Sequence, residues 1–162
     1  MAQTLVSILV HVIFSTKERR HLIKTEVQPS LYSYMAGTMK NLDSQCLEIG
    51  GTSNHVHILA TLSKKTALSD VVGELKKSSS KWIKTNGPAY SHFAWQEGYG
   101  AFSIGQSQVG QLKRYIARQA EHHKTKSFEE EMIETLKKYN VTYDERYIWT
   151  QSTMRPLQGR RV

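Results

Sequence analysis

The 162-residue chain has one cysteine, Cys46, and three prolines. One thiol cannot close a disulfide within the chain, and a cysteine-rich zinc site is excluded with it. A reducing, cytoplasmic setting is the expectation that follows. No apolar run approaches the roughly 18 residues that cross a bilayer. The stretch VSILVHVIF, from Val6 to Phe14, is too short and is interrupted by His11. No basic segment leads into an apolar run and a small-residue cleavage site, so neither a signal peptide nor a membrane partner is expected. Repeats and low-complexity linkers are absent too. The length fits one domain with a modest core, expected to span residues 1–162.

Acidic residues are scarce beside basic ones, 14 against 22, for a formal charge of +8. A basic surface favours a polyanionic partner, most often nucleic acid, although solubility alone also makes small proteins basic. Charge speaks to partners, not to fold.

What is there is strong alternation. In TLVSILVHVIFST, Val6, Ile8, Val10, Val12 and Phe14 share one face, and Leu9, His11 and Ile13 the other, which predicts a strand with one face on a core. Residues 24–43 read as a helix with Pro29 in its first turn. QCLEIGG predicts a short strand, with Gly50-Gly51 as a turn or bend before the strand HVHILAT. A second helix covers TALSDVVGELKKSSSKWIKTNG, and a strand follows over HFAWQEGYGAFSI with a bend at its glycines. A third helix over residues 107–124 takes Ser107 as N-cap. A fourth opens on the capping box Ser127–Glu130 and closes near Asn140. This order predicts an α+β, ferredoxin-like split βαβ fold: an antiparallel sheet with helices on one face, and the other face open to a substrate or partner.

Strand side chains alternate, so His55 and His57 point the same way while Val56, Ile58 and Ala60 point to the core. Two imidazoles on one strand face can chelate a metal, or they can simply be hydrogen-bonded to neighbours. Two ligands are also too few, because a catalytic site usually takes three and keeps a position open. Nucleotide hydrolases of the histidine-triad type need a longer series, and Leu59 breaks it. Two-histidine phosphoesterases need a second His-x-Ser/Thr element, which HFAW and HHK do not supply. On the third helix, Tyr115 and Gln119 lie four apart, hence on one side, flanking the stripe of Val109, Leu112, Ile116 and Ala120. An amide oxygen can serve a metal, and a tyrosine hydroxyl is a recognised covalent nucleophile. The bland alternative is a half-buried tyrosine beside a good helix former.

HVH on a strand, YIARQ on a later helix and a small basic βαβ-like chain together resemble the single-tyrosine transposases of the HUH superfamily, the type encoded by very small insertion sequences and their REP-associated relatives. The resemblance runs from HVIFSTKERR through GGTSNHVHILATL to QLKRYIARQAEHH. It implies a single HUH domain: a core over about residues 1–105, a tyrosine helix over about 107–124, and a C-terminal helix and tail over 127–162. It implies that Tyr115 is the nucleophile and that His55, His57 and Gln119 hold a divalent metal, Mg2+ or Mn2+. It implies cleavage and rejoining of single-stranded DNA through a 5′-phosphotyrosine, with hairpins recognised near element ends. It also implies a homodimer in which the tyrosine helix of one subunit completes the histidine site of the other.

No general base stands out; His11 is a weak one, sharing a strand with the core. DNA contacts are expected among Lys17, Arg19, Arg20, Lys76, Lys77, Lys81, Lys113, Arg114 and Arg118, each of which is otherwise a solvated surface charge. Tyr90, Trp95 and Tyr99 could stack on bases, with core packing the simpler role for each. Two other readings remain: a domesticated protein that grips hairpin DNA or RNA without cutting, and a metal-dependent hydrolase of small phosphoesters.

Overall fold

A computed structural model describes residues 2–144 and Ile148; Arg155, Arg160 and Arg161 of the expected C-terminal tail lie outside the described residues. Four strands form one sheet: β1 (Leu9–Ser15), β2 (Cys46–Gly51), β3 (His55–Thr61) and β4 (Gly100–Ile104). Its order is β2-β3-β1-β4, and every neighbouring pair is antiparallel. Helix α1 (Gln28–Asn41) joins β1 to β2, and α2 (Leu68–Lys84) joins β3 to β4. β3 lies between β1 and β2, which is the split βαβ arrangement expected from the order of elements.

The period-two pattern sorts the sheet as the sequence predicts. Val10, Val12 and Phe14 of β1 meet Val56, Ile58 and Ala60 of β3 in one core with Leu31, Met35, Val72 and Leu75 of α1 and α2. His55, His57 and Leu59 face the other side, as do Leu9, His11 and Ile13. That second face is not open. Three short helices lie on it: α3 (Val109–Ala117), α4 (Gln119–His122) and α5 (Phe128–Lys138). Ile116 packs on Leu9, Leu59 and Ile104, while Phe128, Met132 and Leu136 pack on Ile13 and Phe102. Leu9, Leu59 and Ile104 would otherwise stand in water, and each such side chain gains about 1.5–3 kcal/mol on burial. A sheet face carrying them is covered for that reason.

Several boundaries differ from the sequence reading. Residues 4–8 extend beyond the ladder with Leu5, Val6 and Ile8 exposed, because β3 ends opposite Leu9. A 3-10 turn, Thr25–Val27, precedes α1. The strand expected from His92 shrinks to Gly100–Ile104, preceded by a single bridge between Thr16 and Trp95. The ammonium of Lys76 explains it: Nζ donates to the carbonyls of Gln96, Glu97 and Gly98 at 2.9, 3.2 and 2.7 Å, which takes those oxygens away from a ladder. Ser107 does not cap α3; Gln108 Oε1 accepts the Gly105 N–H at 3.0 Å and closes a 3-10 turn, Gln106–Gln108. The expected third helix breaks at Arg118 into α3 and α4. Ser127 caps α5 as expected, accepting the N–H of Glu130 at 3.1 Å.

Candidate active site

β3 carries His55 and His57 into the layer between the sheet and α3–α5, and both are wholly buried. Tyr115, near the end of α3, lies with its ring centroid 5.7 Å from that of His57 in the same chain. Gln119 opens α4 and is buried, with Oε1 3.0 Å from His55 Nε2. The structure therefore brings together all four residues singled out on the strand and the helix. It does so within one chain, whereas the resemblance places the tyrosine on the partner's histidines. The apolar side chains of α3 hold it on its own sheet.

Three further residues complete the cluster. Glu131 on α5 sits at the centre: His57 Nε2 donates to its Oε1 at 2.7 Å, Tyr115 donates its hydroxyl proton to Oε2, and Gln119 Nε2 reaches Oε2 at 3.3 Å. His123 places Nε2 3.0 Å from Gln119 Oε1 and 3.2 Å from Glu131 Oε2. His122 stands 3.3 Å from the same carboxylate oxygen. Burial alone would raise the Glu131 carboxyl, but the bonds from His123, His57 and Tyr115 outweigh it and keep the carboxylate ionised. The Tyr115 phenol is pushed up by burial first and by Glu131 second.

The donor set fits a divalent metal. Among the described residues His55, His57, His123 and Glu131 each offer an atom, and these lie within 4.8 Å of one another. Their hydrogen-bond partners fix the tautomers. Asn54 Nδ2 donates to Arg19 O at 3.2 Å, so Asn54 turns its Oδ1 to His55 Nδ1 at 2.8 Å. His55 Nδ1 is then the protonated nitrogen, and its Nε2 presents a lone pair to the Gln119 oxygen. His123 Nδ1 is likewise committed to the Lys126 carbonyl at 2.7 Å, which leaves its Nε2 facing two acceptor oxygens. The His55 lone pair turned on the Gln119 oxygen is unfavourable unless a cation lies between them. His123, raised by Glu131, instead meets these oxygens as a donor when no metal is bound and gives up that proton to become a ligand. A ligating histidine whose other N–H is tied to a carbonyl is the usual support of a metal site. Burial lowers His55 to about 3 and keeps it neutral, as a ligand must be. The stretch Gly50-Gly51, expected as a turn, lies inside β2 and serves this packing: a Cβ on Gly50 would meet the Ile116 carbonyl at 2.5 Å.

The IS200-like transposase family matches residues 4–119. The chain belongs to that family. No curated protein matches the chain. Among solved structures, a protein from Deinococcus radiodurans R1 described as a candidate transposase aligns with a TM-score of 0.58 at 18% identity, over 74% of this chain and 95% of that one. The REP-associated tyrosine transposase bound to a REP hairpin aligns with a TM-score of 0.56 at 16% identity, over 76% of this chain and 73% of that one. At such identities the likeness speaks to the fold alone. No described helix is long and apolar enough to cross a membrane.

In this IS200-like family member the expected DNA-contacting cations divide. Lys17, Lys77, Lys81, Arg114 and Arg118 are exposed, and Lys113 is partly so. Arg20 pairs with Glu18 at 2.7 Å and Arg19 with Glu129 at 2.6 Å. Lys76 donates three N–H bonds to the carbonyls of residues 96–98, and burial lowers it to about 8, so in this structure it holds a loop. Trp95 is core, edge-on to Phe14 and Phe93, and Tyr90 is buried; Tyr99 is 38% exposed. Glu131 and His123 were missed by sequence reasoning. A signal for Glu131 existed: it lies one place from the Phe128–Met132–Leu136 stripe, where an unpaired carboxylate is costly. His123 had only the pair HHK.

Proposed function

We propose that the chain is a transposase that cleaves and rejoins single-stranded DNA, with Tyr115 as nucleophile. The observation that carries this reading is the Tyr115 hydroxyl bonded to Glu131 in the same cluster as the two strand histidines. Tyr115 Oη attacks the phosphorus, the bond from phosphorus to the 3′ oxygen breaks, and a 5′-phosphotyrosine and a free 3′-hydroxyl result. The energy of the phosphodiester stays in the adduct, so rejoining is the reverse attack by a 3′-hydroxyl. Glu131 Oε2 accepts the phenol's hydrogen bond and so orients Tyr115 Oη, a contact that His11 does not make. His11 is buried and lowered to about 3, first by burial and then by His57, and it faces His57 and not the phenol.

His55, His57, His123 and Glu131 would hold the metal, with Gln119 Oε1 beside His55 and His123. The bound ion supplies Lewis-acid polarisation and alignment of the scissile phosphate. Imidazole-rich ligation suits Mn2+ better than Mg2+, and Mg2+ is the more abundant. Arg114 and Arg118 flank Tyr115 on the outer side of α3 and are the cations best placed for phosphates. The REP-associated neighbour is bound to a REP hairpin, and hairpin DNA is the substrate class proposed for this chain. The intramolecular contact of Tyr115 with His57 supports a complete site in each subunit, whether or not the chain dimerises.

Incubation with single-stranded DNA from the flanks of its own gene, with and without Mn2+, tests the reading. A metal-dependent covalent band that disappears in Tyr115→Phe, with binding retained, is the expected result. Hairpin binding with no adduct under any condition favours the non-cleaving alternative.

A further inference from the structure

Two cavities meet at Tyr115. One, of about 430 Å³, opens on the outer side of α3 beside Arg114 and Arg118. The other, of about 230 Å³, lies between α3 and α5. Tyr115, Gln111 and His122 border both, so the phenol stands between them.

Their chemistry differs. The outer cavity sets two guanidinium groups, Arg114 and Arg118, against the one carboxylate of Glu121, a balance suited to phosphate. The inner one has apolar walls from Ile104, Leu112 and the ring of Tyr139, with Thr135 and Glu134 as polar groups. Glu131 and Glu134 set two carboxylates there against the one ammonium of Lys138, which disfavours an anion. His11 forms part of its wall, 3% exposed, with an Nδ1 that has no hydrogen-bond partner. That nitrogen is closed off from the cavity itself, so His11 gives the wall shape and not a hydrogen bond. The volume equals the share of about eight water molecules at roughly 30 Å³ each. Apolar walls with a few polar groups are what small-molecule sites share. A flat, neutral, heteroaromatic ring with polar edges fits that description.

We infer that the cavity between α3 and α5 receives one nucleobase of the strand whose phosphate meets Tyr115. A base hangs one sugar away from its phosphate, so a pocket bordering the attacking phenol lies within its reach. The phosphate takes the arginine side and the adjacent base takes the inner side. The ring of Tyr139, stacked on Phe102 with centroids 4.7 Å apart and with Lys138 Nζ 5.5 Å from its own centroid, is the aromatic edge of the space for it.

The inference rests on the cleavage reading, yet the two fail separately. The isotope-labelled full chain is titrated by NMR with each of the four deoxynucleosides, which carry no phosphate, and with deoxyribose 5-phosphate, which carries no base. At least one deoxynucleoside gives saturable shifts at Leu112, Thr135 and Tyr139, and deoxyribose 5-phosphate leaves them unmoved. Thr135→Leu, which fills the cavity, weakens that binding about tenfold. Gln111→Trp, at an exposed rim position on which folding does not depend, blocks it likewise. No saturable shift with any of the four, or equal shifts with deoxyribose 5-phosphate, overturns the pocket, even if a Tyr115 adduct forms. A nucleoside that binds while no adduct forms supports the pocket and removes the chemistry beside it.

Discussion

Gly50 lies opposite His57 in the β2–β3 ladder, and a Cβ on Gly50 would stand 2.5 Å from the carbonyl oxygen of Ile116. The tyrosine helix therefore rests on bare backbone next to the histidine pair. Gly50→Ala pushes α3 off the sheet at a cost of about 1–3 kcal/mol and withdraws Tyr115 from Glu131. Gly73, on the exposed face of α2 with nothing within 4 Å of a Cβ, is the control. Gly73→Ala is neutral or stabilises by about 0.4–1 kcal/mol. Urea unfolding of both variants, with adduct formation followed in parallel, checks the pair.

Salt dependence separates the lysine that holds a loop from the arginines proposed to meet phosphate. Each phosphate contact adds about 0.7 to the slope of log affinity against log salt for single strands. Arg114→Ala and Arg118→Ala each lower the slope by about that amount. Lys76→Ala leaves the slope unchanged and lowers the melting temperature, because three carbonyls lose their donor.

The metal-free protein loses stability in mild acid. His11 and His55 are held at about 3 in the fold against an ordinary 6.5, chiefly by burial. Between those values the unfolded chain binds more protons than the native one, so stability falls as pH falls from 6.5 toward 3. Each histidine contributes a slope of about 1.4 kcal/mol per pH unit. Glu131, held low by its donors, adds loss in the same direction at lower pH; His123, raised by its bond to Glu131, opposes it. A lower urea midpoint at pH 5 than at pH 7 is expected; an equal or higher one contradicts the neutral, buried pair.

Glu131 ties the proposed ligand His57 to the proposed nucleophile Tyr115. Glu131→Gln keeps the size of the side chain and removes its charge. Calorimetric titration with Mn2+ is expected to show affinity weaker by at least the roughly 10- to 100-fold seen when only a group behind a ligand is lost. Unchanged Mn2+ affinity removes Glu131 from the site.

Much of this was legible in the chain because period-two alternation is unambiguous. Val56, Ile58 and Ala60 fall on the core and His55 and His57 opposite them by geometry alone, and helical spacing puts Tyr115 and Gln119 on one side. What escaped depends on contacts distant in sequence. The carbonyls of residues 96–98 turn to Lys76 twenty residues earlier, so an expected strand shortens. Leu9, Leu59 and Ile104 looked like one face of a sheet that could stay open, and only the placement of α3 and α5 shows what covers them. Glu131 reads as one acid among several on a charged helix until α5 is laid across the histidines.

The most direct test mixes two inactive variants. Tyr115→Phe lacks the proposed nucleophile and His57→Ala a proposed ligand, and neither alone is expected to form an adduct with cleavable single-stranded DNA. If each chain assembles its own site, an equal mixture stays as inactive as its parts, while the wild-type adduct maps to Tyr115 by peptide mass spectrometry. An adduct restored in the mixture, or mapped to another residue, contradicts a site built from one chain's own Tyr115, His57 and Glu131.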